Sequence, residues 1–223
     1  MSKTFYFKIF FVFPLFVFVL EGCWNLSIFV SQIEYILKVR VSIFVMGNEK
    51  ERVVIFIDGS NFYHSSKKLG VVDKINFQKL INELVGDREF IKVFYYNAPL
   101  NLGVNPKIYW KQQKFFDMLR NIPKVEVILC RQRRVKRDGK FEYEVKGDDT
   151  HLVSDLVGEA YENLYDAAII VSGDEDFVSP IKRVRKLGKK IENAWFSSSS
   201  SFNLRTACDR SIHINKILSK IID

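Results

Sequence analysis

A chain of 223 residues is long enough for one α/β domain with a sizeable core plus an additional segment. Its apolar content of 48% excludes a disordered chain, and its formal net charge of +8 suits a nucleic acid or an anionic membrane surface while saying nothing about fold. Cys23, Cys130 and Cys208 are far apart, odd in number and without CxxC spacing. They argue against a disulfide framework or zinc site and for reduced thiols in a cytoplasmic protein.

The first 46 residues have a composition of their own: nine of the 20 phenylalanines fall between Phe5 and Phe44. Ile9–Leu20 is a charge-free apolar run interrupted by Pro14, and a second uncharged run, Gly22–Ile33, follows Glu21. Three readings are open. As a membrane anchor, each run falls short of the ~20 apolar residues that span a bilayer. As a signal peptide, Lys3 and Lys8 precede a short apolar core, and Leu20-Glu21-Gly22-Cys23 has the outline of a lipoprotein cleavage box spoiled by its glutamate. The third reading, which we favour, is that segment 1–46 lies outside the native protein and translation starts at Met46. A membrane enters as a partner only if this segment is native.

Val53–Ile57 is an unbroken apolar run that predicts a strand buried on both faces. It ends in Asp58-Gly59-Ser60-Asn61, which favours a turn. Asp58 therefore stands at the carboxyl end of a strand, the edge where open α/β sheets bind ligands. A turn former or helix cap explains a single Asp there equally well. Phe62–Leu69 is a short helical or irregular segment, and Asn76–Val85 has helical apolar spacing with Gly86 past its end. Phe90–Tyr96 is a second strand, Lys107–Asn121 a helix, and Val125–Leu129 a third strand that continues into a hairpin turning at Asp138-Gly139. The strand period puts Arg131, Arg133 and Arg137 on one hairpin face and Arg134 and Lys136 on the other. This protruding basic ribbon is either a solvated edge protected by charge or a grip on phosphates. Asp148 and Asp149 open a helix to about Asn163. Asp166–Ser172 is a fourth strand, Phe177–Leu187 a helix and Ile191–Phe196 a fifth strand. A flexible serine run at 197–201, a short helix at Leu204–Cys208 and a small strand at Ser211–Ile214 follow. This alternation predicts a mostly parallel sheet with helices on both faces.

Two strand ends carry carboxylates, Asp58 on one and Asp174 and Asp176 on the other, and a helix entrance adds Asp148 and Asp149. Asp155 shares a helix face with Asp148. Each pair near 4 Å costs on the order of 4 kcal/mol at an effective dielectric of ~20. A divalent cation stabilises such a cluster, and hard oxygen donors suit Mg²⁺ or Mn²⁺. Capping and turn roles account for each aspartate taken singly.

Ile57-Asp58-Gly59-Ser60-Asn61, then Lys146-Gly147-Asp148-Asp149 with Asp155, then Val171-Ser172-Gly173-Asp174-Glu175-Asp176-Phe177 resemble, in this order, the NYN domain of the PIN-like nuclease superfamily, in its LabA-like branch. The resemblance runs from Arg52 to Asn215 within a domain placed at 49–217. It implies a Rossmann-like PIN fold and a Mg²⁺- or Mn²⁺-dependent ribonuclease. It also implies Asp58, Asp149, Asp174 and Asp176 as metal-binding acids and Asn61 as a residue orienting the ligand or scissile phosphate. Asp148 departs from the family's usual apolar residue and could supplement Asp149, Asp155 would stand at the site's edge, and Glu175 would point to solvent. RNA is the expected substrate, bound in part by Arg131, Arg133, Arg134, Lys136 and Arg137, and a homo-oligomer is compatible. Tyr95, Tyr96, Tyr109 and Trp110 fit base stacking or core packing alike. The alternative is an RNA-binding or regulatory module of the same fold with little or no turnover. A haloacid dehalogenase phosphatase fails at Ser60, where that family needs an aspartate.

Overall fold

The structure is a computed structural model that describes residues 8–12, 15–19, 34–35, 37, 49–103, 105–137 and 140–223. Cys23, the whole run Gly22–Ile33, Met46 and the Asp138-Gly139 turn lie outside them. The chain separates into two compact units, residues 1–49 and 50–223. In the first, β1 (Lys8–Val12) pairs antiparallel with β2 (Leu15–Val19), so that Val12 faces Leu15 across the ladder. The Phe/Val-rich run thus divides at Pro14 into two strands, in keeping with the pleated preference of aromatic and β-branched residues. Among the described residues no helix is long and apolar enough to cross a membrane.

The second unit opens with β3 (Arg52–Asp58), α1 (Gly59–Lys68), α2 (Phe77–Val85), β4 (Glu89–Asn97), α3 (Pro106–Arg120) and β5 (Val125–Leu129). A ribbon of β6 (Arg131–Arg137) and β7 (Lys140–Lys146) follows. The chain then forms α4 (Asp148–Tyr161), β8 (Ala167–Val171), α5 (Val178–Lys186), β9 (Lys190–Trp195), α6 (Phe202–Ala207), β10 (Arg210–His213) and α7 (Leu218–Ile221). The main sheet has the order β10-β9-β8-β3-β4-β5, and every neighbouring pair is parallel. β6 and β7 form their own antiparallel sheet, with Arg131 opposite Lys146 and Arg137 opposite Lys140.

The strand period divides β3 between two cores. Val53, Ile55 and Ile57 pack with Phe77, Leu80 and Phe116 from α2 and α3 on one face. Val54 and Phe56 pack with Leu152, Leu156 and Ile181 from α4 and α5 on the other. All five residues are fully buried, which explains the uninterrupted apolar run. The ion pairs that brace this sheet gather toward its amino-terminal end. Arg88 bonds Glu51 at 3.2 Å and the buried Glu192 at 2.8 Å, and Arg52 pairs with Asp166 at 2.8 Å.

Several elements differ from the sequence expectation. The segment after Asn61 belongs to a ten-residue helix that starts directly after Asp58. β5 and the hairpin are separate strands, because Cys130 turns away from the ladder after donating its N–H to the Asn97 carbonyl at 2.8 Å. The helix expected from Phe177 begins as a 3₁₀ turn, Glu175–Phe177. The serine run is not a flexible tether: Ser197–Ser199 is a 3₁₀ turn whose Ser199 hydroxyl is held at the site described below. Beyond Asn215 the chain completes the first core with Ile221, whose carbonyl accepts from Asn76 N at 2.8 Å.

Ile55 stands at the centre of the middle strand with no exposed surface. Ile55→Ala is expected to cost about 2–5 kcal/mol in urea unfolding, because the parallel ladders on both sides prevent the site from collapsing.

Candidate active site

The strand order reverses at β3. The chain proceeds from β3 to β4 and β5 on one side and returns through β8 to β9 and β10 on the other. Helices therefore leave neighbouring strands toward opposite faces, and a crevice opens where the carboxyl ends of β3 and β8 meet. Ile57 pairs with Val171, so Asp58 and Ser172 are the next residues out on each strand.

Hydrogen bonds fix this edge. Asp58 caps α1 through Oδ1, which accepts the Asn61 N–H at 3.0 Å, while Oδ2 accepts the Ser172 hydroxyl at 2.9 Å. Ser172 Oγ in turn accepts the Asp174 N–H at 3.1 Å. Asp174 caps the 3₁₀ turn, its Oδ1 accepting the Asp176 N–H at 3.0 Å. Asn61 Oδ1 accepts from Gly173 N at 3.2 Å and from Ser199 Oγ at 3.0 Å, and Ser65 donates to Ser199 at 2.7 Å. The two strand-end loops, α1 and the serine turn are thereby one network. The packing allows no extra atoms. A Cβ on Gly59 would lie 2.5 Å from the Tyr95 ring, and one on Gly173 would lie 1.2 Å from the Ser199 carbonyl oxygen.

Asp58, Asp148, Asp149 and Asp174 line one open cleft of about 340 Å³ with Asn61, His64, Ser65, Lys68 and Ser199. Among the described residues none of these aspartates forms an ion pair. Asp58 is 7% exposed, and burial together with Asp148 and Asp174 holds its carboxyl above the ordinary value despite the lowering by the Asn61 and Ser172 hydrogen bonds. Asp149 presents an exposed side to solvent. Even so, partial desolvation, then Asp148, Asp58, Asp174 and Asp176, push it up to about 6. Burial first, then Asp148, Asp149 and Asp155, raise the nearby Cys130 thiol to about 11, which keeps it protonated at neutral pH.

The other sequence candidates fall around this cleft. Asp176 is exposed and its charge is felt at Asp149. Asp155 accepts the Tyr96 hydroxyl at 2.8 Å. Glu175 is exposed but not idle: it accepts from Ser201 at 3.0 Å and Asn203 at 2.7 Å, tying the 3₁₀ turn to α6. Asn61 lines the cleft, with its oxygen committed to the loop network. Arg131 and Lys136 are exposed on β6, the strand that also carries Arg133, Arg134 and Arg137. Tyr95 and Tyr96 are buried, whereas Trp110 is exposed. Ser65 and Lys68 were not foreseen, and His64, whose sequence reading is a partly buried or surface histidine outside the site, lines the cleft as well. With Asn61 they follow the i, i+3, i+4, i+7 spacing of one helix face, a signal readable once a helix is assumed there. Ser199 carried no sequence signal.

Oxygen donors alone, from carboxylates, suit a hard divalent ion. Yet among the described residues no three acidic, histidine or cysteine groups stand close enough together to hold one as they are.

Fold and cleft together define a doubly wound α/β domain with an acidic crevice at its switch point. The model of the NYN domain matches residues 52–215, and the chain belongs to that family, within the PIN-like nuclease superfamily. A solved structure of a protein of unknown function from Vibrio parahaemolyticus is similar, with 25% identity and a TM-score of 0.59 over 75% of this chain and 94% of that one. A nicotinic acid mononucleotide adenylyltransferase from Plasmodium falciparum aligns at 8% identity over 73% of each chain, but its TM-score of 0.31 carries no argument. No curated protein matches.

Gly173→Ala is expected to lower the melting temperature by several degrees, since the methyl group displaces the serine turn, at about 1–3 kcal/mol. For Asp149, the rise from 3.8 to about 6 means that the folded chain holds more protons than the unfolded one between about pH 4 and 6. Stability falls as pH rises through that window, and the deficit persists above it. The full shift corresponds to about 3 kcal/mol, which screening at an exposed group reduces to roughly 1 kcal/mol. In metal-free urea titrations, Asp149→Asn should therefore stabilise the protein by roughly that amount at pH 8 and by almost nothing at pH 4.

Proposed function

We propose that the domain is a metal-dependent ribonuclease of the LabA-like branch that hydrolyses RNA phosphodiester bonds in the cytoplasm. The observation that carries this reading is the meeting of Asp58, Asp148, Asp149 and Asp174, from three separate elements, in one cleft where, among the described residues, none of them forms an ion pair. Such a group is costly unless a ligand of opposite charge belongs there. Asp58, Asp149 and Asp174, supplemented by Asp148 or Asp176, would hold Mg²⁺ or Mn²⁺. When bound, that ion acidifies a water and offsets charge on a phosphate. The protein's own part is positional. Ser172 and the α1 cap fix the Asp58 carboxylate, and the Asp174 cap fixes one oxygen of its carboxylate. Lys68 and His64, on the cleft-facing stripe of α1, are placed to receive a phosphate. The β6–β7 ribbon, with Arg131, Arg133, Arg134, Lys136 and Arg137, adds charge for the rest of the strand. Free thiols at Cys130 and Cys208 accord with a reducing compartment.

The absence, among the described residues, of three ligating groups within reach of one ion favours a second reading: an RNA-binding module of the same fold that does not turn over.

Incubation of the chain with unstructured RNA and Mn²⁺ separates the two. The nuclease reading expects cleavage that stops with a chelator and falls at least about 100-fold in Asp58→Asn and in Asp174→Asn, with circular dichroism unchanged. It also expects Mn²⁺ to raise the melting temperature of the native chain more at pH 8 than at pH 5, where carboxylates begin to protonate. RNA binding without cleavage, together with a melting temperature indifferent to divalent ions, would establish the binding module instead.

A further inference from the structure

A second cavity, of about 740 Å³, adjoins the acidic cleft. Ser60 and His64 line both, so the two spaces flank the same first turns of α1. Their character differs. The cleft is walled by carboxylates, whereas the cavity is walled by aromatic rings. Phe77, Tyr95 and Phe115 stand edge-on to one another, with ring centroids 5.4 to 6.0 Å apart, and make a rigid apolar cup. Tyr63, 41% exposed, adds a ring open to solvent, with the Lys67 ammonium 5.5 Å from its centroid.

Among the polar residues that line this cavity, Asn101 and Asn105 are held in a fixed orientation. Asn101 Oδ1 accepts the Gly103 N–H at 2.8 Å, and Asn105 Oδ1 accepts the Ile108 N–H at 3.1 Å. With each oxygen committed, each carboxamide offers its NH₂ group as a donor, and among the described residues neither NH₂ has a protein acceptor. A cavity in the size range of small-molecule sites, apolar in its walls with a few fixed donors, fits a flat heteroaromatic ring that carries acceptors on its edge. A nucleobase has this chemistry, and its phosphate neighbour would find the cleft next door.

We propose that this cavity receives one unpaired nucleobase of an RNA strand while the adjoining phosphate lies in the acidic cleft. The proposal rests on the nuclease reading for the identity of the strand. A base held in a duplex by pairing and stacking has no free face to present to these rings, so the nucleotide that enters is an unpaired one.

The test uses the full chain with Ca²⁺ in place of Mn²⁺, so that the cleft carries a divalent charge, and oligouridine strands with 2-aminopurine placed at each position in turn. Fluorescence quenching is expected at one internal position. Tyr63→Ala, which removes an exposed ring, should weaken binding of that strand roughly 5- to 150-fold, the range expected for loss of one stacking platform. Val72→Trp, which fills the cavity from its lining, should abolish the quenching, and melting curves show whether each variant is folded. If Val72→Trp does not fold, Tyr63→Ala decides. Quenching at no position, or quenching unchanged in Tyr63→Ala, overturns the proposal. So does equal affinity for 2-aminopurine riboside monophosphate, which would make the cavity a free-nucleotide site. Position-specific quenching lost in Tyr63→Ala, with no RNA cleaved in Mn²⁺, would leave the base site standing and remove the nuclease reading alone.

Discussion

Like charge held together is the constraint around which this domain is organised. At the meeting of β3 and β8, four aspartates face one cleft, and burial and mutual repulsion raise Asp58 and Asp149 above the ordinary carboxylate range. Among the described residues the fold does not relieve this by an ion pair to a lysine or arginine. It restrains it with hydrogen bonds: the Asp58 cap, the Ser172 hydroxyl between Asp58 and the Asp174 backbone, and the Asn61 oxygen gathering Gly173 and Ser199. Each of these uses a local backbone donor or hydroxyl to pin a group whose charge is left for something else.

The two ends of the sheet treat charge in opposite ways. Toward the amino end, Arg88 and Arg52 are matched with Glu51, Glu192 and Asp166, and the pairs brace strands that are neighbours in space but distant in sequence. At the carboxyl end the acids go unmatched. A protein that needed only stability would pair both ends or neutralise both. The asymmetry makes structural use of charge pairing at one edge and leaves like charge together at the other. Capping and metal-binding readings of Asp58 and Asp174 are accordingly not rivals, because a cap takes one carboxylate oxygen and fixes the other.

Helix α1 joins the two spaces at this edge. Asn61, His64, Ser65 and Lys68 turn toward the acidic cleft, whereas Phe62, Tyr63 and Lys67 line the aromatic cavity with the shared Ser60 and His64. One helix, started by a strand-end aspartate and admitted by the missing side chain at Gly59, therefore separates the acidic cleft from the aromatic cavity.

The local pattern of residues was enough to establish the α/β alternation, the fully buried run Val53–Ile57, the antiparallel pair β6–β7 and the acids at two strand ends. These follow from side-chain period and turn chemistry, which act over a few residues. Local pattern could not reveal that β8 returns beside β3 instead of beyond β5, and it is this strand order that brings Asp58 against Ser172 and Asp174. Nor could it show that the serine run opens with a 3₁₀ turn, Ser197–Ser199, instead of a loose tether. Ser199 is ordered by Gly173, Asn61 and Ser65, residues 26 to 138 positions away along the chain. Asp155 has the right spacing to join Asp148, yet its partner is Tyr96 of a neighbouring strand. Sequence determined which groups are present and on which kind of element. Only tertiary packing, which sets distances between segments with no local correlation, decided which of them meet.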